Sequence, residues 1–146
     1  MRWTFHTALA TVVSTIVLAG AAAAQQKVEV RGQSAKIKLS QVVSGHLSEL
    51  NGKFQLRVSE ATFEPGGFVG AHHHVGPGIR CITAGELTYV SSAGSKIYKV
   101  GDCFFEPGDV SHTANNATDG TVKFLSFEIL PASLQGGSTI PVPHTK

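Results

Sequence analysis

The stretch Gly66-Gly67-Phe68-Val69-Gly70-Ala71-His72-His73-His74, carried on through Gly76-Pro77-Gly78 to Gly85, decides how this chain is read. In an extended strand successive side chains point to opposite faces, so His72 and His74 look one way and His73 the other. Two imidazoles on one face form a ligand fork. Imidazole is the commonest protein ligand for Zn, Cu, Fe and Ni, and a third from a distant segment would close a facial site with positions left open. A second stretch, from Gly101 through Pro107 to His112 and Asn116, offers that third imidazole in His112.

Working outward from the fork, the chain reads as short strands cut by turns. Lys27 to Val30 and Lys36 to Leu39 are expected as short edge strands. Asn51-Gly52 lies between Leu47 and Leu50 on one side and Phe54, Leu56 and Val58, alternating with Gln55, Arg57 and Ser59, on the other; this is a strong hairpin signal. Ile79 to Ala84 forms the next strand, and Leu87 to Val90 and Ile97 to Val100 flank a Gly-containing turn. Phe104-Phe105 leads into Glu106-Pro107-Gly108-Asp109, and Val122 to Leu130 alternates over its whole length. Phe63-Glu64-Pro65-Gly66 recurs as Phe105-Glu106-Pro107-Gly108, which suggests two similar halves. No sustained helical period appears after the N-terminal segment. The expected class is all-β, a barrel or sandwich.

The N-terminus reads as a targeting segment. A basic start at Arg2, an apolar and small stretch from Ala8 to Ala24, and Ala22-Ala23-Ala24 before Gln25 describe a signal peptide over 1–24. The stretch is too dilute in apolar residues to be read as a membrane anchor. Export to the periplasm or outside the cell is therefore expected, with no membrane attachment after cleavage. The remaining chain, roughly 120 residues, suits one domain with one core. Its formal charge of +2 falls to about +1 once Arg2 is removed, and it has no basic block, so nucleic acid is not an expected partner. A small-molecule ligand is. In an oxidising compartment Cys81 and Cys103 can form a disulfide or stand as two buried thiols; sequence leaves both open.

The two stretches together resemble the cupin superfamily. Its first motif is Gly, five residues, His-x-His, three or four residues, Glu, six residues, Gly, and Gly66, His72, His74 and Gly85 match it. Its second is Gly, five residues, Pro-x-Gly, two residues, His, three residues, Asn, matched by Gly101, Pro107, His112 and Asn116. The resemblance implies a double-stranded β-helix, or jelly-roll barrel, over 25–130, followed by a Pro/Gly/Ser-rich tail over 131–146. It also implies a divalent transition metal ion (Fe, Mn, Zn, Ni or Cu) held by His72, His74 and His112, and a homodimer is compatible with it. The chain departs from the pattern where the family places its metal-binding Glu. That position falls at Gly78 or Ile79, and neither can coordinate. Asp109 likewise stands where a Gly is expected, with Gly108 beside it. Glu86 is a poor substitute, because it begins a hairpin where an exposed carboxylate is ordinary.

Strand phase places Arg80 and Ile82 on the face of Gly78 and turns Cys81 outward. A buried guanidinium needs an anion, so Arg80 is read either as a substrate-binding residue beside the metal or as an Arg reaching the rim near Glu86 or Asp109. Tyr89 and Tyr98 are read as cross-strand packing. Phe68, Phe104, Phe105, Phe124 and Phe127 are read as barrel lining or interface. A three-imidazole centre resembles that of cupin thiol and diketone dioxygenases, which makes oxygen-dependent cleavage of a small chelating substrate the leading expectation. The alternatives are a metal or small-ligand binding module without turnover, and a cupin isomerase or lyase.

Overall fold

The computed structural model describes residues 27–142. The signal peptide expected over 1–24 and His144 lie outside them. The described residues form nine strands and no helix: β1 Val30–Val42, β2 Phe54–His74, β3 Gly78–Ala84, β4 Glu86–Ser91, β5 Gly94–Lys99, β6 Cys103–Glu106, β7 His112–Asn115, β8 Val122–Pro131 and β9 Thr139–Pro141. Every pairing is antiparallel, in the order β5-β4-β7-β2-β8-β3-β6, with β1 and β9 also on β2. This is the all-β architecture that the turns and alternation predict, in the jelly-roll form that the resemblance implies.

The long β2 belongs to both faces of the barrel. Its first half pairs with β8 from Phe54↔Pro131 to Phe63↔Val122, and its second half with β7 up to His72↔His112. Between them Glu64–Gly67 bulge out opposite Gly32, so the Glu-Pro-Gly stretch bends the strand without ending it. Gly67 is required there: a Cβ would lie 2.7 Å from the Gly32 carbonyl oxygen. Asn116 ties the bend down. Its Nδ2 lies 3.2, 3.0 and 2.6 Å from the carbonyls of Phe63, Glu64 and Gly120, and its Oδ1 accepts from the Thr118 amide and hydroxyl. The motif asparagine is therefore a structural clamp.

Several sequence expectations change in detail. The two N-terminal edge strands are one strand, β1, interrupted by register shifts at Arg31/Gln33 and Ile37/Leu39. The hairpin at Asn51-Gly52 forms between β1 and β2, but its loop starts at Val43, leaving Leu47 exposed. The tail is extended and packed: β9 pairs with β2 at His72–His74, so the barrel continues past 130. Chain 131–142 thus contributes to the site wall.

The interior is divided. One part is apolar, with Phe63, Val69, Ile82, Leu87, Phe104, Val122 and Phe124 in a single cluster. The other is polar, because the buried face of β2 carries Gln55, Arg57 and Ser59 while Leu56 faces out. Outside, Phe105, Ile79 and Phe127 form an exposed row across β6, β3 and β8, in register. The phenylalanines are accordingly split, Phe104 and Phe124 inside and Phe105 and Phe127 out. Phe68 lies under the Arg31 guanidinium, 5.6 Å from its ring centre.

Candidate metal centre

The cross-strand pair His72↔His112 and the alternation of β2 bring three imidazoles to one point. Their ring centres are 4.2 Å (His72 to His112), 5.0 Å (His72 to His74) and 5.3 Å (His74 to His112) apart, and their nearest potential ligand atoms all lie within 4.8 Å of one another. His73 pairs with Ile140 on the opposite face. The ring of Tyr89 stacks on His112 at 4.6 Å, and Tyr89 also packs on Phe104 and Tyr98, so the tyrosines form the packing layer predicted for them.

The second nitrogen of each imidazole is engaged. Nδ1 of His72 donates to the Gly70 carbonyl at 2.7 Å, and Nδ1 of His112 to the Val110 carbonyl at 3.1 Å. Nδ1 of His74 meets Ser138 Oγ at 3.3 Å, and that hydroxyl gives its own proton to Glu128 Oε1 at 2.5 Å. A carbonyl accepts only, so these contacts hold the proton on Nδ1 and leave the Nε2 lone pair facing inward. Burial keeps the rings neutral: it lowers the pKa of His72, and takes those of His74 to about 2 and His112 to about 4, with neighbouring positive charge adding to the effect. Neutral, oriented, convergent imidazoles are the donor set a divalent transition metal ion requires, so the residues fit such an ion.

Strand phase correctly puts Arg80 inside, but its anions belong to the protein. Its Nη2 is 2.6 Å from Glu106 Oε2 and 3.5 Å from Glu128 Oε1, and Glu128 in turn meets Arg57 Nη2 at 3.3 Å. All four side chains are at least nine-tenths buried. Two guanidinium groups thus balance two carboxylates, and Arg80 stays inside rather than reaching the rim, with its Nη1 buried and without a hydrogen-bond partner. Glu86 pairs with Lys99 on the surface at 3.0 Å, far from any ligand role. Cys81 and Cys103 face each other between β3 and β6 and are joined as a disulfide.

Sequence reading missed Glu106, Glu128, Arg57 and Ser138. Glu106 was accessible to the same phase argument that placed Arg80, since Phe104 and Glu106 share the inner face of β6. The internal repeat obscured it, because its counterpart Glu64 is exposed in the β2 bulge. Ser138 carried no signal, lying in a segment whose composition reads as tail.

The cluster opens on a cavity of about 680 Å³ whose wall includes His72, His74, His112, Arg80, Phe104 and Phe124. It is polar at the histidine end and apolar beyond, the usual character of a small-molecule site.

Residues 59–128 match the family model described as "Cupin domain". No functionally curated protein matches the sequence. Among solved structures, the chain is similar to a cupin domain from Bordetella pertussis Tohama I, at 22% identity and TM-score 0.51, over 69% of this chain and 96% of that one. It is also similar to the polyketide cyclase RemF from Streptomyces resistomycificus, at 13% identity and TM-score 0.57, over 79% and 75% of the two chains. A third is KdgF from Halomonas sp., at 16% identity and TM-score 0.52, over 68% and 84%. At these identities the likeness is one of fold.

Proposed function

Because this chain is a cupin with three convergent imidazoles in its barrel, we propose that it is an exported metal-dependent protein acting on a small chelating substrate, with dioxygenase-type chemistry as the leading reaction. The observation that carries the reading is the orientation of His72, His74 and His112, each with Nδ1 engaged and its other nitrogen free to ligate. A divalent ion held there would supply Lewis acidity and a redox centre for oxidation of the substrate by dioxygen.

The rest of the site positions and shields. The aromatic and aliphatic wall of Phe63, Phe104, Phe124 and Leu87 favours an apolar body on the substrate and keeps water from the histidine end. Arg80 holds Glu106 and Glu128 in place, while Tyr89 holds the His112 ring by stacking. The Cys81–Cys103 disulfide supports export, since such bonds persist in oxidising compartments.

The test is to express the full chain and determine the N-terminus of the mature protein, expected at Gln25. Its metal is then identified by elemental analysis and oxygen uptake measured against a panel of chelating diketones and thiols. His72→Ala and His112→Ala are expected to lose the metal. Full metal content in both variants would remove the site assignment, and bound zinc with no oxygen uptake would favour a binding module over an oxygenase.

A further inference from the structure

The hydrogen bonds around the imidazoles leave a conflict on the inner side. Nε2 of His112 lies 3.3 Å from Glu106 Oε1, and Nε2 of His74 lies 3.3 Å from Glu106 Oε2. Both nitrogens carry lone pairs, because the protons of these rings sit on Nδ1, and an ionised carboxylate is acceptor-only as well. Acceptors facing acceptors in a buried wall repel unless a proton or a cation lies between them; a protonated Glu106 has one O–H and can satisfy only one of the two nitrogens, whereas a cation serves both. Glu106 is 5% exposed, and its Oε2 has no hydrogen-bond partner despite the ion pair with Arg80.

Backbone register explains why this carboxylate is there. Gly78 on β3 stands opposite Glu106 on β6 and Glu128 on β8. A Cβ on Gly78 would lie 2.1 Å from Arg80 Nη1, so the guanidinium occupies the volume where a side chain at 78 would begin. Arg80 in turn reaches Glu106. Glycine at 78 and a carboxylate one strand away are thus two parts of one arrangement.

We propose that Glu106 is the fourth ligand of the metal centre, supplying from β6 the carboxylate that the family pattern would place at Gly78. The inference rests on the three-histidine reading above, with Arg80 as the positioning residue that holds the carboxylate toward the imidazoles.

The test uses cobalt(II), whose visible absorption reports its coordination, with affinities measured by equilibrium dialysis for the wild type, Glu106→Gln, Glu86→Gln and His72→Ala. Even partners that only support a ligand change metal affinity roughly 10- to 100-fold, so Glu106→Gln should lose at least about tenfold and shift the spectrum. Glu86→Gln removes a surface carboxylate paired with Lys99, away from the imidazoles, and should keep the wild-type affinity and spectrum. Loss of cobalt in His72→Ala with unchanged affinity and spectrum in Glu106→Gln overturns the Glu106 assignment alone. Undiminished binding in His72→Ala overturns the histidine reading and this one with it. Should Glu106→Gln fail to fold, the infrared difference spectrum of the wild type with and without cobalt, carrying 13C-labelled glutamate, decides the matter. Shifted glutamate carboxylate stretches are expected, and a silent carboxylate region overturns the assignment.

Discussion

Gly78 and Glu106 are paired residues on neighbouring strands, and the guanidinium of Arg80 lies over the glycine with its Nη2 2.6 Å from the glutamate. A side chain at 78 would therefore press on Arg80, and through it on Glu106 beside the candidate metal centre. In Gly78→Ala the new Cβ would approach Arg80 Nη1 to 2.1 Å and the Phe127 carbonyl oxygen to 2.7 Å. The arginine can swing away but the backbone carbonyl cannot. The expected cost is about 1–3 kcal/mol, as for overpacking elsewhere, read as a lower midpoint in chemical denaturation. A variant as stable as wild type would show that β3 and β8 separate freely.

Ser138 links the C-terminal segment to the site. Its hydroxyl donates to Glu128 and accepts from His74, so Ser138→Ala leaves a buried carboxylate oxygen and a buried imidazole N–H each short of a partner. A loss of about 1–3 kcal/mol is expected from the unpaired groups, with weakened metal binding because the His74 ring is no longer oriented. Thermal unfolding and metal titration check the two effects separately.

The disulfide closes a loop between residues 22 positions apart. The chain-entropy relation gives about 3 kcal/mol for loops of this order, so Cys81→Ser combined with Cys103→Ser should lower stability by that amount. Denaturation of the wild type with and without reductant gives the same comparison without mutation, and coincident curves would contradict it.

Acid should destabilise the metal-stripped protein. The imidazoles of His72, His74 and His112 have folded-state pKa values below the ordinary 6.5, so as pH falls through 6.5 the unfolded chain takes up protons that the native state refuses. Stability contributed by these rings is full above that pH and lost below it. Glu106 acts in the opposite sense. Burial, with Glu128 adding and Arg80 opposing, raises it to about 7, so its contribution is greatest in acid and is lost as pH rises from its unfolded 4.5 through 7. Three imidazoles outweigh one carboxyl, and the net expectation is falling stability from pH 6.5 towards 4.5. Denaturation midpoints across that range give the sign directly, and a rising midpoint on acidification would refute it.

The sequence by itself determined the strand-and-turn character of the chain, the pairing of two motifs and the identity of the three candidate ligands that the barrel brings together. Each is a local property: period-two alternation sets the faces of a strand, and glycine and proline mark where strands end. Alternation also turned Arg80 inward and Cys81 away from it. Only the tertiary structure decided which face of Phe54–Ser59 is buried, because the apolar residues there point out and the buried Arg57 is balanced by Glu128 on β8. It alone joined Ser138 to His74 across 64 positions and set Glu106 beside Gly78 across 28. Strand register depends on how distant segments align, and that alignment is a property of the closed barrel, which no single stretch of the chain contains.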